Sequence, residues 1–186
     1  MIKSENLVTH TNRVDILSYM PKNSICAEFG VYTARFSYWI IKNTSPQKIY
    51  LVDPYWKLYG QQYPWNKKST WDTFSYAAKN IQKYDENRCS VFVIDTDIEF
   101  LKIIPDNYFD WIYIDSTHEY EDTLNELNAA SSKIKPSGFI CGHDWRENPK
   151  HIHHGVCKAI VEWLSQHKDY KFLLRDNYTQ WIMQKL

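Results

Sequence analysis

The chain has 186 residues, enough for one domain with a sizeable core. Its 22 lysines and arginines balance its 22 aspartates and glutamates, so no basic field marks nucleic acid as a partner. No apolar run nears the roughly 18 residues of a spanning helix, and the opening MIKSENLVTH lacks the apolar core of a signal peptide. The expectation is one domain over residues 1–186, soluble and cytoplasmic, with no membrane and no nucleic acid among its partners.

Residues 1–20 carry a weak helical pattern (Val14, Ile16, Leu17, Met20) that Pro21 ends. SICAEF (24–29) reads as a buried strand running into Gly30. VYTARFSYWIIKN follows with apolar positions at helical spacing, and KIYLVD (48–53) is a second strand closing on an acid. This strand–Glu-x-Gly–helix–strand–Asp unit suits a nucleotide-like ligand. Gly30 permits a tight turn and close backbone approach, and Glu28 and Asp53 end adjacent strands, where a carboxylate can accept from ribose hydroxyls or an amino group. Gly30 and Asp53 are about 20 residues apart, as in dinucleotide fingerprints, but Tyr32 and Ala34 stand where the later glycines would be, which argues against NAD.

Residues 54–86 open as an aromatic loop and become helical from about Ser69, with Trp71, Phe74, Ala78 and Ile81 on one face. A segment this long suits a lid or substrate wall as well as a plain surface excursion. SVFVID (90–95) is a third buried strand ending at Asp95, Thr96 and Asp97; residues 98–104 form a short helix that Pro105 stops. DWIYID (110–115), a helix from about Glu119 to Lys133, and the strand FIC after Lys-Pro-Ser-Gly make a parallel crossover. Both strand ends then share one edge of the sheet, bringing Asp115, His118, His143 and Asp144 together where open α/β sheets bind ligands. VCKAIVEWLSQ (156–166) is an amphipathic helix. YKFLLR (170–175) and YTQWIMQ (178–184) flank an Asp176-Asn177 turn as a closing antiparallel hairpin. The alternation predicts a three-layer αβα sandwich on a mostly parallel sheet.

The four cysteines (Cys26, Cys89, Cys141, Cys157) are widely spaced, so buried free thiols are expected. His151, His153 and His154 with Cys157 are a ligand set compatible with Zn²⁺. They straddle a loop and a helix start without a second ligand pair, and read as solvated or as rimming the site. The 8 Trp and 14 Tyr exceed what a core needs and suit a site for a flat or sugar-like ligand; exposed aromatics would also favour a homodimer.

The blocks AEFGVYTARFS (27–37), IYLVDPY (49–55), DWIYIDSTHEYEDTLNEL (110–127) and KPSGFICGHDW (135–145) resemble class I methyltransferases that use S-adenosylmethionine (AdoMet). Among these the chain is similar to the sugar O-methyltransferase branch that includes the macrocin and mycinamicin enzymes and the cephalosporin-hydroxylase group. The resemblance implies a seven-stranded Rossmann-like sheet with a reversed final hairpin. It implies that Glu28 and Gly30 hold the methionine end of AdoMet, that Asp53 takes the ribose hydroxyls, and that Asp95, Thr96 and Asp97 flank the adenine. Asp115, also counted in the cofactor set, His143 and Asp144 would hold a divalent metal, Mg²⁺ or Mn²⁺, with His118 as general base. His143 stands where the family has an acid, and imidazole is a poorer partner for Mg²⁺. The implied reaction is methylation of a hydroxyl on a small polar molecule such as a sugar. A non-catalytic AdoMet- or nucleotide-binding module, or a metal-dependent hydrolase on the same sheet, are the alternatives.

Overall fold

A computed structural model of the protein describes residues 6–186; the first five residues of the N-terminal segment lie outside the described residues. The strands are β1 (Leu7–Val8), β2 (Ile25–Phe29), β3 (Lys48–Val52), β4 (Ser90–Val93), β5 (Phe109–Ile114), β6 (Ile134–Gly142), β7 (Tyr170–Asp176) and β8 (Trp181–Lys185). The α-helices are α1 (Arg35–Thr44), α2 (Tyr55–Tyr59), α3 (Thr70–Tyr84), α4 (Asp97–Lys102), α5 (Tyr120–Ser131) and α6 (His154–Gln166), and a 3₁₀ helix spans Arg13–Tyr19. All eight strands join one sheet in the order β1-β7-β8-β6-β5-β2-β3-β4. The run from β6 to β4 is parallel, and β8 runs antiparallel to both β6 and β7.

The three-layer architecture follows from strand alternation, because successive side chains point to opposite faces. Ala27, Phe29, Ile112, Ile114 and Ile140 pack toward Phe100 of α4, Leu127 of α5 and Ile160 and Trp163 of α6. Cys26, Ile49, Leu51, Trp111 and Tyr113 face the other way, toward Ile40 of α1, Ala77 and Ile81 of α3, and Ile16 and Leu17 of the 3₁₀ helix. All four cysteines are buried and free. No helix among the described residues is long and apolar enough to cross a membrane.

The sheet has one strand more than the expected seven. Leu7–Val8 pairs in parallel with Arg175–Asp176 at the edge, and side chains pin it there: His10 Nδ1 lies 2.8 Å from Asp176 Oδ2, and Asn6 donates to the Leu173 carbonyl at 2.9 Å. Two residues are too short a run for any periodicity to announce. The N-terminal helical pattern is a 3₁₀ helix, capped by the Asn12 side chain accepting from Val14 N at 2.8 Å. β6 begins before FIC and takes in Pro136, which a register shift between Phe109 and Trp111 of β5 accommodates.

The buried face of α3 is Thr70, Thr73, Ala77 and Ile81, not the face through Trp71. Trp71 is 55% exposed and stacks on Trp56, with centroids 3.9 Å apart and planes 5° from parallel. The helix is rotated by about one residue from the expected face because Trp56, on the short α2 that the aromatic loop contains, supplies an apolar partner outside the core. β8 starts at Trp181, three residues after Tyr178, because the Asp176 carboxylate accepts from the Tyr178 and Gln180 amides (2.9 and 2.8 Å) and holds a wider turn.

What places the site is the order around β2. The chain passes from β2 outward through β3 to β4, then returns to build β5 on the other side of β2. This reversal opens a crevice at the carboxyl ends of β2 and β5.

Candidate active site

The carboxyl ends of five parallel strands are tied in register. Asp53 N donates to Val93 O (3.1 Å), Gly30 N to Val52 O (3.0 Å), Asp115 N to Phe29 O (2.9 Å) and His143 N to Ile114 O (3.1 Å). Above them lies a cavity of about 900 Å³, bordered by Gly30, Asp53, Asp97, Asp115, His118 and His153 and walled by Tyr59 and Trp65. Gly30 has φ +84, and a Cβ there would stand 2.0 Å from the Asp115 carbonyl oxygen. The turn therefore requires glycine on two counts, handedness and space.

Around Asp115 the geometry is dense. Its Oδ1 lies 3.0 Å from His118 Nε2 and 3.6 Å from His143 Nδ1, and its Oδ2 accepts from Arg13 at 2.5 Å. Arg13 also donates to the Tyr113 hydroxyl (3.1 Å) and lies over the Phe36 ring. Asp144 is the second centre. Its Oδ2 lies 3.1 Å from His143 Nδ1 and 3.2 Å from His118 Nε2, and its Oδ1 lies 3.1 Å from His153 Nδ1 and 3.7 Å from Arg146 Nε. Burial opposes ionisation of both carboxyls. At Asp115 the hydrogen bonds of His118 and His143 and the charge of Arg13 outweigh it; at Asp144 the hydrogen bond and charge of His143, with His153 and His118, do so. Both stay well below the usual carboxylate range. For His143, burial pulls down, but hydrogen bonds to the same two carboxylates push its pKa up to about 9. His118 and Asp144 are held in left-handed backbone (φ 66 and 59), a conformation that costs about 1–2 kcal/mol for a residue with a Cβ.

The cofactor-side residues divide. Asp53 borders the cavity and already accepts from the Tyr32 and Tyr55 amides (2.8 and 3.1 Å) and the Tyr63 hydroxyl (3.2 Å), leaving lone-pair directions for a ligand. Thr96 and Asp97 also border it, and Thr96 caps α4 by accepting from Glu99 N. Asp95 does not border it, and instead pairs with Lys57. Glu28 is 1% exposed beneath the floor and accepts from the Ser37 hydroxyl of α1; burial pushes its pKa up to about 8 against that hydrogen bond.

Two residues that the sequence did not single out, Arg13 and Glu126, belong to the site, and a third, His153, reaches deeper than expected. Arg13 comes from the far N-terminal side and left no local signal. Glu126 borders the cavity from α5, accepts from Ser116, and is raised well above its ordinary pKa by burial and then by the charge of Asp97. Its place on the buried helix face with Thr123, Leu127 and Ala130 was a readable anomaly. His153, expected at the rim, reaches Asp144. Cys157 lies in the core and His154 is bonded to the Arg146 carbonyl (2.8 Å), so these two do not join it as a zinc set.

A mostly parallel sheet with its cleft at the β2/β5 reversal, acids at successive strand ends and a histidine beside them defines a Rossmann-like α/β architecture with a ligand crevice at the switch point. Residues 27–145, well over half of the chain, match a family of methyltransferase domains, and the chain belongs to that family. Solved structures share the fold at low identity. An O-methyltransferase from Bacillus cereus in complex with SAH is 15% identical with a TM-score of 0.64, over 93% of this chain and 76% of that one. The O-methyltransferase TomG from Streptomyces achromogenes, involved in tomaymycin synthesis and in complex with SAM, is 12% identical with a TM-score of 0.63, over 88% and 74%. An rRNA methylase from Streptococcus thermophilus is 9% identical with a TM-score of 0.64, over 95% and 99%. No curated protein sequence matches the chain.

Proposed function

We propose that the domain is an AdoMet-dependent O-methyltransferase acting on a hydroxyl of a small polar molecule of the sugar or glycosylated-metabolite class. The observation that carries this reading is His118, anchored through Nε2 to Asp115 at 3.0 Å on the border of the switch-point cavity. An imidazole that donates its Nε2–H to a carboxylate keeps its lone pair on Nδ1. His118 Nδ1 is then the group that takes the acceptor's proton. As the acceptor oxygen bonds to the methyl carbon, the carbon–sulfur bond of the sulfonium breaks, giving a methyl ether and S-adenosylhomocysteine (SAH).

The cofactor's ribose would bind Asp53, its adenine would lie against Thr96 and Asp97, and Gly30 would let the backbone approach its methionine end. Asp115 and Asp144 hold the His118 ring, and Tyr59 and Trp65 offer aromatic faces to the acceptor. The balanced charge favours a small acceptor over RNA. The residues present also fit a divalent ion: Asp115, His143 and Asp144 offer donor atoms within 4.8 Å of one another, two of the three being carboxylate oxygens. Such an ion would polarise the acceptor oxygen when bound.

Calorimetric titration with AdoMet and SAH tests the cofactor: micromolar binding of both is expected, and no binding under any metal condition would overturn the reading. His118→Ala should lower turnover by roughly 10²–10⁴-fold while SAH affinity stays within about twofold. A fully active variant would remove His118 from proton transfer.

A further inference from the structure

His118, Asp144 and His153 form a second donor group, whose ligand atoms also lie within 4.8 Å of one another and which shares only Asp144 with the first. The His118 and His153 rings stack with centroids 4.8 Å apart and planes 23° from parallel, His118 contacting Asp144 Oδ2 and His153 contacting Oδ1. His153 Nδ1 is buried and stands 3.1 Å from Asp144 Oδ1, a charge contact off the direction of a well-formed hydrogen bond. A buried ring nitrogen and a carboxylate oxygen at this spacing and off hydrogen-bond alignment are arranged as two ligands of one cation are. Ligands about 2.0–2.2 Å from one ion stand roughly 3–4 Å apart, so atoms within 4.8 Å of one another close on an ion with side-chain shifts of under about an ångström. Two imidazoles and one carboxylate suit Zn²⁺, Co²⁺ and similar borderline ions, and suit Mg²⁺ poorly.

We propose that His118, Asp144 and His153 form a seat for a borderline divalent transition ion, and that an ion there switches off His118 as a base. The chemistry follows from the ring's two nitrogens. His118 Nε2 is the atom that faces Asp144. An ion takes the Nε2 lone pair, which requires the single proton of the neutral ring to sit on Nδ1. Nδ1 then has no lone pair with which to accept a proton, and the Nε2 hydrogen bond to Asp115 is lost. The Arg146 guanidinium, whose Nε lies 3.7 Å from Asp144 Oδ1, opposes the cation, and its side chain is 38% exposed, so solvent screens that opposition. The binding part of this inference stands on geometry alone; the inhibitory part rests on the proposed role of His118.

Titration of the metal-free protein with Co²⁺, followed by its visible ligand-field absorption, tests the seat. One site is expected, unbleached by a hundredfold excess of Mg²⁺. His153→Ala should weaken Co²⁺ by at least tenfold, whereas Asp115→Asn, which removes a ligand of the other donor group and keeps all three ligands of this one, should change it by less than about threefold. Equal affinity in His153→Ala, a loss confined to Asp115→Asn, or ready displacement by Mg²⁺ would each overturn the seat. Thermal melts provide the folding control, since Zn²⁺ should raise the melting temperature of the wild type and not of a folded His153→Ala. Long-range ¹H–¹⁵N spectra of the imidazoles test the switch. Zn²⁺ should move the His118 proton from Nε2 to Nδ1, and an unchanged tautomer would overturn the inhibition. Co²⁺ binding without SAH binding would instead remove the methyltransferase reading and leave the seat standing.

Discussion

Gly30 and Glu28 show how two residues of one turn answer different demands. Gly30 has no substitute, because any Cβ would collide with the Asp115 carbonyl while the backbone stayed left-handed. Gly30→Ala should therefore destabilise the fold by several kcal/mol, more than the ~1 kcal/mol of a positive-φ replacement alone. It should also abolish SAH binding, since relief of the clash moves β2 and β5 apart at the cleft. A melt and a titration on the variant decide this, and near-normal values for both would refute the close approach. Glu28 is held by one hydroxyl in a site that resists its charge, with a pKa of about 8 against an ordinary 4.5. A carboxyl raised on folding contributes stability that is fully present below pH 4.5 and is lost as pH rises through 8. Glu28→Gln removes that dependence. Its unfolding free energy should gain on the wild type between pH 5 and 9, by an amount on the order of a few kcal/mol, read in melts across pH, with the difference constant below pH 4.5. Parallel curves across that range would show that Glu28 is ionised in the fold.

At the scale of elements, the caps and strand ends do the positioning. Thr96 holds the first turn of α4 by accepting from Glu99 N at 3.2 Å, and that turn sets Asp97 against the cavity and Glu126. Thr96→Ala should cost about 1 kcal/mol, read as a fall of a few degrees in the melt, together with weaker SAH binding. Loss of stability with unchanged binding would confine Thr96 to capping. The long elements were legible because their periodicities are strong: β2, β3 and β5 lie within a residue of the expected runs, β4 ends two residues before its expected end, and α5 and α6 fall within two residues of the expected bounds at each end. The segment after Asp53 was harder. Trp71 fits the core by spacing, yet its apolar surface is covered by Trp56 on a five-residue helix. Periodicity identifies a face that wants covering, but not which element covers it.

Across the whole molecule, the sheet order turns a sequence pattern into a site. Gly30 and Asp115 are 85 positions apart, and the reversal at β2 puts their backbones in contact. The sequence by itself determined the alternation of strands and helices, the acids closing the strands, the glycine at the turn and the placing of Asp115 and His118 after one strand and of His143 and Asp144 after the next. These are local properties, carried by spacing along the chain and by the chemistry of single residues. Only the tertiary structure decided that Arg13 neutralises Asp115 from the N-terminal side, that Asp95 turns away to Lys57, that Glu126 borders the cavity and that His153 meets Asp144. Those contacts join residues whose separation along the chain leaves no periodic trace, and they arise when packed layers bring remote side chains to the one edge of the sheet where water gives way to a ligand.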